Sequence, residues 1–282
     1  MTERLADISA RIEGIEQLGA VVNAMKGIAA ARANMARTQV KAVDNYAETI
    51  ARAMARAIGT EDKPPERQAD AGDQRAGLLV FAAEQGFAGA FSERVLDSLG
   101  ADPGLRRLFL IGTRGQSIAA QRDLEPFWTA AMPSHSQGVP KLADAITRAI
   151  YEEVAGGRID RLDVVFTRWR SGRPALVRKS LFPIDLGDFR APSGPPPLTQ
   201  VPRQALIDGL GQDYFHARVC NAALHAFAAE NEARMQAMAS AGTQIARELE
   251  MFQATLRRVR QEAITAEIIE LGTGANTAGT AQ

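Results

Sequence analysis

The stretch IARELEMFQATLRRVRQEAITAEIIEL, residues Ile245 to Leu271, sets the organisation of the chain. Its apolar and small residues recur in steps of four and three, the seven-residue repeat that keeps one face of a helix against a partner helix. These residues are Ile245, Leu249, Phe252, Leu256, Val259 and Ala263. The stretch therefore predicts a long helix that needs a second helix to cover its apolar face.

A matching run, LADISARIEGIEQLGAVVNAM, lies near the other end of the chain, from Leu5 to Met25. Its apolar residues again step by three or four, and no proline interrupts the chain from Thr2 to Lys63. They are Leu5, Ile8, Ile12, Ile15, Leu18, Val22 and Met25. The two ends can cover each other as an antiparallel coiled-coil shaft, with everything between them inserted at one end. Each glycine of this run either weakens the helix by about 1 kcal/mol or admits a closely packed partner, and the sequence leaves both open.

The middle of the chain alternates short apolar runs with helical patterns, which is typical of an α/β layer with a largely parallel sheet. Strands are predicted at Leu78–Ala83, Arg107–Gly112, Leu162–Trp169 and Ala175–Pro183, and helices at Ala90–Leu99, Gly115–Arg122 and Leu142–Val154. The predicted layout is a shaft helix at 1–59, a linker at 60–74, the α/β domain at 75–190, a proline-rich connection at 191–203, a second shaft helix at 204–274 ended by Gly272 and Gly274, and a frayed tail at 275–282.

The composition excludes several classes of protein. Lys plus Arg and Asp plus Glu balance at 33 each, so the whole molecule has no electrostatic attraction to nucleic acid. No apolar run approaches the roughly 20 residues that span a bilayer, so no direct membrane insertion is predicted. The lone Cys220 cannot form an internal disulfide and indicates a reducing compartment. We expect a cytosolic or cytosol-facing bacterial protein.

Motifs for catalysis are missing from the sequence. No phosphate-binding loop of the Gly-Lys-Ser or Gly-Lys-Thr type is present, and the glycines at 86, 89, 112 and 115 fit tight turns from strand to helix better than a dinucleotide fingerprint. The histidines at 135, 216 and 225 share no metal-ligand spacing. We therefore predict no catalytic residue, no cofactor and no metal. The arginines and lysines of the terminal helices fit either a solvated face or an acidic partner.

Two stretches near the ends of the chain are the most informative: VVNAMKGIAA at residues 21–30 with Tyr46-Ala47, and above all RQEAITAEIIE at residues 260–270. These stretches resemble the gamma subunit of F-type ATP synthases. EARMQAM at residues 232–238 and the turns at Gly86–Gly89 and Ile111–Gly115 are also similar, so the resemblance covers nearly the whole chain.

The chain departs from that family at several positions. The family usually has Ser-Asp-Arg before its first glycine turn and Leu-Cys-Gly-Gly after it, where this chain has Ala83-Glu84-Gln85 and Phe87-Ala88-Gly89-Ala90. Asn23 stands where a lysine is common, and Gln244 where an asparagine is common. The departures around the first glycine turn concern the surface contacts of the α/β domain and not the shaft. Taken together, the departures fit a divergent branch such as an alternative ion-translocating F-type ATPase.

The resemblance implies that the chain is a non-catalytic rotor shaft. Its partners would be the alpha and beta subunits of the catalytic head, the epsilon subunit and the membrane c-subunit ring, at the cytoplasmic face of the bacterial inner membrane. The head would be contacted by Met25, Arg260, Gln261, Thr265 and Glu267. Two other readings stay open: a free-standing scaffold or regulator with an acidic helical partner, and an enzyme built on the segment from Ala76 to Phe189.

Overall fold

A computed structural model describes residues 2–58, 75–170, 172–184 and 198–279. Helix α1 covers Thr2–Ile58 and helix α5 covers Arg203–Gly279, so the two ends of the chain form helices of 57 and 77 residues. Both are rich in strong helix formers and hold no internal proline. Between them lie β1 (Ala76–Phe81), α2 (Phe91–Asp97), β2 (Leu108–Ile111), α3 (Thr113–Ala120), β3 (Trp128–Ala130), α4 (Val139–Ala155), β4 (Arg161–Arg170) and β5 (Arg173–Phe182).

The strands form one sheet in the order β3-β2-β1-β4-β5. Strands β3, β2, β1 and β4 pair with one another in parallel, and β5 pairs with β4 in antiparallel fashion. The predicted largely parallel sheet is therefore confirmed. Strand β3 was not predicted, because three residues are too few to show an alternating pattern.

Both faces of the sheet are covered, as parallel strands require. Leu79 and Phe81 of β1 point into one apolar cluster, with α4 and the first part of α5. Leu78 and Val80 point into the other, with α2 and α3. All four side chains are fully buried. The continuous apolar strand run noted in the sequence therefore reflects burial on two sides.

The chain divides into two compact units, Met1–Ile28 with Met235–Gln282, and Ala29–Arg234. The boundary falls within both long helices. In the first unit, the Arg11 guanidinium lies 5.2 Å from the Phe252 ring centre. A Cβ atom at Gly19 would lie 3.4 Å from Ile245 Cγ2, and one at Gly242 would lie 4.0 Å from Val22 Cγ1. In these pairs, a higher residue number on α1 goes with a lower residue number on α5.

The second unit shows contacts of the same order between α1 and α5. Arg37 forms an ion pair with Glu232, and the Asn221 amide donates to Asp44 Oδ1 at 2.6 Å. Arg203 Nε donates to the Ala57 carbonyl at 2.8 Å. This last bond satisfies a carbonyl at the end of α1 that has no partner within the helix.

Two sequence-based expectations for the helices are wrong. Leu18 does not lie on the covered face of α1, because it is 53% exposed, and Gly19 is half-buried in its place. The positions 5, 8, 12, 15, 19 and 22 keep a strict alternation of three and four, which Leu18 would have broken. Helix α5 also runs to Gly279 rather than ending at Gly274, because isolated glycines weaken a helix without stopping it.

The connections fall largely outside the described residues. The predicted linker at 60–74 lies wholly outside them, as do residues 191–197 of the proline-rich connection. Residues 198–202 have no helix or strand, and α5 begins directly after Pro202.

Candidate interaction surfaces

The covered faces of α1 and α5 in the first unit form what we call the seam. On α5, all six positions predicted from the sequence are buried or half-buried, and Val259 is only 2% exposed. Around Gly19 and Gly242 the seam is bordered by a groove of about 620 Å³, whose charged lining residues are Glu16 and Lys26. The two glycines leave this space because neither carries a side chain.

The five predicted contact residues do not form one cluster. Met25 is half-buried on α1, whereas Arg260, Gln261, Thr265 and Glu267 are exposed on α5. The contacts of the seam place Met25 near Ala239, which is about 30 Å along the helix from Arg260 at 1.5 Å per residue. The Thr265 hydroxyl donates to the Gln261 carbonyl at 2.9 Å, so its proton is used within the helix.

An exposed apolar patch accompanies the four polar positions and was not predicted from the sequence. Ile264, Ile268 and Ile269 are 51%, 64% and 61% exposed. We call these three residues the apolar tip. Neighbouring exposed isoleucines indicate a protein contact. Their positions off the seven-residue repeat were the signal that could have identified them.

The carboxyl ends of the parallel strands are the place where an α/β sheet would bind a phosphate. Here the backbone N–H groups point at carboxylates. Glu84 accepts hydrogen bonds from the N–H of Thr113 at 3.0 Å and of Met132 at 2.8 Å. Glu230 accepts from the N–H of Glu84 at 3.0 Å and of Gln85 at 3.1 Å. We call Glu84 and Glu230 the carboxylate pair.

Arg234 completes this arrangement from the next turn of α5. Its guanidinium forms an ion pair with Glu230, and the two side chains are 6% and 4% exposed. It also donates to the Gly86 and Gln85 carbonyls at 3.1 and 3.2 Å. Helix α5 is therefore fixed to the loop after β1, and the loop presents Phe87, which is 69% exposed with a φ of 61°.

The glycines after β2 serve the fold rather than a ligand. Gly112 has a φ of 109°, and a Cβ there would lie 2.6 Å from the Ala82 carbonyl oxygen. A Cβ at Gly115 would lie 2.2 Å from the Ala82 Cβ. The prediction of a tight turn from strand to helix is therefore confirmed at these two glycines.

Two titratable groups of α5 have strongly shifted pKa values. Burial, with a smaller contribution from Asp144, raises the pKa of Cys220 to about 12, which keeps it a thiol rather than the nucleophilic thiolate. Burial, with Arg168 and Lys179 nearby, lowers the pKa of His225 to about 4. Within the part of the chain that the structure describes, no three side chains are placed to hold a metal ion.

The structure therefore combines two long terminal helices with an α/β layer in which N–H groups at the strand ends donate to carboxylates. The family model described as ATP synthase matches residues 4–277. An ATP synthase gamma chain from Parafrankia sp. is 30% identical over 98% of this chain and 98% of its own length. The chain belongs to the ATP synthase gamma-chain family. It is the central shaft subunit and not a catalytic one.

Further relatives agree with this assignment. The ATP synthase gamma chain of Nocardioides sp. is 29% identical over 100% of this chain and 99% of its own length, and that of Moorella thermoacetica is 27% identical over 96% and 98%. A chain of the mitochondrial ATP synthase of Euglena gracilis has the same fold, with a TM-score of 0.67, 17% identity and coverage of 100% and 97%. None of the described helices is long and apolar enough to cross a membrane.

Proposed function

We propose that the first and last helices form an antiparallel coiled coil that turns inside a ring of alternating alpha and beta subunits. The proposal rests on the order of the seam contacts. The Arg11 guanidinium lies over the Phe252 ring, and Gly19 packs against Ile245. Two helices packed along a seam resist bending and twisting better than one, as torque transmission requires. The shaft comprises residues 1–59 and the helix from 204 onward.

The α/β layer, residues 75–190, binds the epsilon subunit and the c-subunit ring at the foot of the shaft. The fold match to ATP synthase chains and the family membership support these partners. The complex lies at the cytoplasmic face of a bacterial inner membrane, where this chain is peripheral. Its relatives from Nocardioides, Parafrankia and Moorella support a bacterial assignment.

The shaft acts on the catalytic sites by being asymmetric. One rotational position presents a different face of the helices to each beta subunit, so each site is shifted toward a different conformation by its own set of contacts. Met25, Arg260, Gln261, Thr265 and Glu267 make these contacts. The exposure of the last four, together with the apolar tip beside them, supports this role.

An enzyme built on the α/β layer is the weaker alternative for a physical reason. The N–H groups that would bind a phosphate at the strand ends already donate to the carboxylate pair, so they are not available to a nucleotide phosphate. The match of the family model over residues 4–277 argues against a free-standing scaffold.

The test uses a reconstituted complex with Arg260→Ala or Gln261→Ala. We expect coupled ATP synthesis and hydrolysis to fall several-fold, while the isolated chain melts at an unchanged temperature, because exposed substitutions alter stability by only about 0.5 kcal/mol. Arg257→Ala, an exposed arginine on the same helix, is the matched control. Unchanged turnover and coupling in both variants would contradict the assigned contacts.

A further inference from the structure

The β4–β5 hairpin has two faces that differ in their balance of charge. Antiparallel register pairs Val164 with Lys179 and Arg170 with Arg173, so the side chains of these four residues lie on one face. Arg178 lies on the opposite face, where its guanidinium forms ion pairs with Asp102 and with Asp163. That opposite face is electrically balanced.

The first face is not balanced. We call it the basic face, and its members are Arg168, Arg170, Arg173, Lys179 and, from α5, Arg218. Helix α5 approaches here through His225, whose ring stacks on Phe166 with centres 5.8 Å apart, and Arg218 lies two turns earlier on the same side of α5. Among the described residues, no carboxylate forms an ion pair with the four hairpin cations. The neighbouring Asp44 accepts a hydrogen bond from Asn221.

This arrangement costs stability in the isolated chain. Arg170 and Arg173 are directly opposite each other across the strands, and like charges in that position repel. The pKa of Lys179 is lowered, chiefly by burial and then by Arg218 and Arg168, and the nearby Asp44 carboxylate offsets this only in part. An anionic partner would offset the repulsion between Arg170 and Arg173 and would raise the pKa of Lys179. Its attraction to these cations would be strongest where water is excluded.

We propose that the basic face binds an acidic polypeptide segment of a neighbouring subunit in the assembled complex. The inference rests on the proposed function, because it requires that assembly. Arg173 and Lys179 are six residues apart on one strand, or about 20 Å at 3.3 Å per residue, which a row of carboxylates spans and a single phosphate does not. Arg168 and Arg218 are half-buried, so a flat bilayer surface reaches them poorly.

A carbodiimide cross-link in the purified complex tests the contact directly. This reagent joins a lysine amine to a carboxylate in contact with it, and Lys179 is the single lysine of the basic face. We expect mass spectrometry to find Lys179 joined to an Asp or Glu of another subunit. The cross-link should be lost in Lys179→Arg, which keeps the charge and the assembly.

The outcomes separate this inference from the proposed function. An intact complex without a cross-link from Lys179 to another subunit overturns the inference and leaves the shaft role standing. A chain that fails to co-purify with the head subunits overturns the proposed function first and this inference with it.

A second variant distinguishes binding from a structural role. Arg173→Glu places opposite charges across the strands from Arg170, so we expect the isolated chain to melt about 1–3 °C higher. In the complex, the same variant should lower the yield of the Lys179 cross-link several-fold. Arg106→Glu, an exposed cation outside the basic face, should change neither. A lower melting temperature for Arg173→Glu, or a full yield of the cross-link, overturns the inference.

Discussion

Single carboxylates determine what the α/β layer can bind. Glu84 and Glu230 accept the N–H groups at the ends of β1, β2 and β3, and Arg234 balances the second of them inside the protein. Glu84 stands where the family usually has an aspartate, so the change to glutamate keeps a carboxylate at this position. Two acids and one arginine therefore occupy the polar backbone groups at this edge of the sheet.

His225 gives the fold a dependence on pH. Its pKa is lowered to about 4 in the folded protein from 6.5, so the unfolded chain binds its proton more readily. The contribution of His225 to the free energy of unfolding is therefore complete above pH 6.5 and is lost as the pH falls toward 4. Because the ring is only partly buried, we expect the free energy of unfolding to fall by about 1–2 kcal/mol, which is less than the whole pKa shift would give.

The comparison that isolates this effect uses two histidine variants. Urea unfolding of His225→Phe at pH 7.5 and pH 4.5 should show a smaller loss of stability than the parent chain. His135→Phe, at an exposed histidine, is the control for replacing an imidazole by a phenyl ring. Equal losses in all three proteins would show that His225 does not titrate as the structure indicates.

At the scale of the helices, the seam depends on where its glycines lie. Gly19 faces Ile245, whereas a Cβ at Gly14 would meet nothing within 4 Å. The two explanations left open by the sequence therefore apply to different glycines. Gly19 admits a closely packed partner, and Gly14 is a tolerated helix glycine.

This difference predicts opposite results for the same substitution. Gly19→Leu should lower the free energy of unfolding by about 1–3 kcal/mol, because added methylenes overpack the seam. Gly14→Leu should raise it by about 0.5–1 kcal/mol, because a helix-interior glycine is replaced by a strong helix former. Urea unfolding followed by circular dichroism measures both. Two variants of equal stability would contradict the placement of Gly19 on the seam.

At the scale of the whole molecule, residues more than two hundred positions apart in sequence form one compact unit. The described residues of the unit 1–28 with 235–282 are all helical, so Val22, Met238 and Val259 are buried where α1 and α5 pack together. A single long helix of this kind would expose its apolar face to water.

Disulfide trapping tests this pairing. In a Cys220→Ala background, the Gly19→Cys/Ile245→Cys double variant should oxidise to an intramolecular disulfide, because a Cβ at position 19 lies 3.4 Å from Ile245 Cγ2. The looped chain migrates differently from the reduced chain on a denaturing gel. Gly14→Cys/Ile245→Cys should remain reduced, and equal oxidation of both variants would contradict the antiparallel register.

The two long helices, the layer between them and most of its strands follow from the order of the amino acids. Periodicity depends only on which residues are apolar and how they are spaced, and both are fixed by the sequence. The six seam positions of α5 and the glycine turn after β2 follow from such local patterns.

Contacts between residues that are distant in the chain depend on how the helices and strands pack together. Glu84 and Glu230 lie 146 residues apart, and no local pattern indicates that one accepts the other's N–H group. The balance of the two hairpin faces likewise depends on the strand register and on carboxylates brought from elsewhere. For the same reason, Gly19 and not Leu18 lies on the covered face of α1. Which residues of a helix are buried depends on the partner that packs against it.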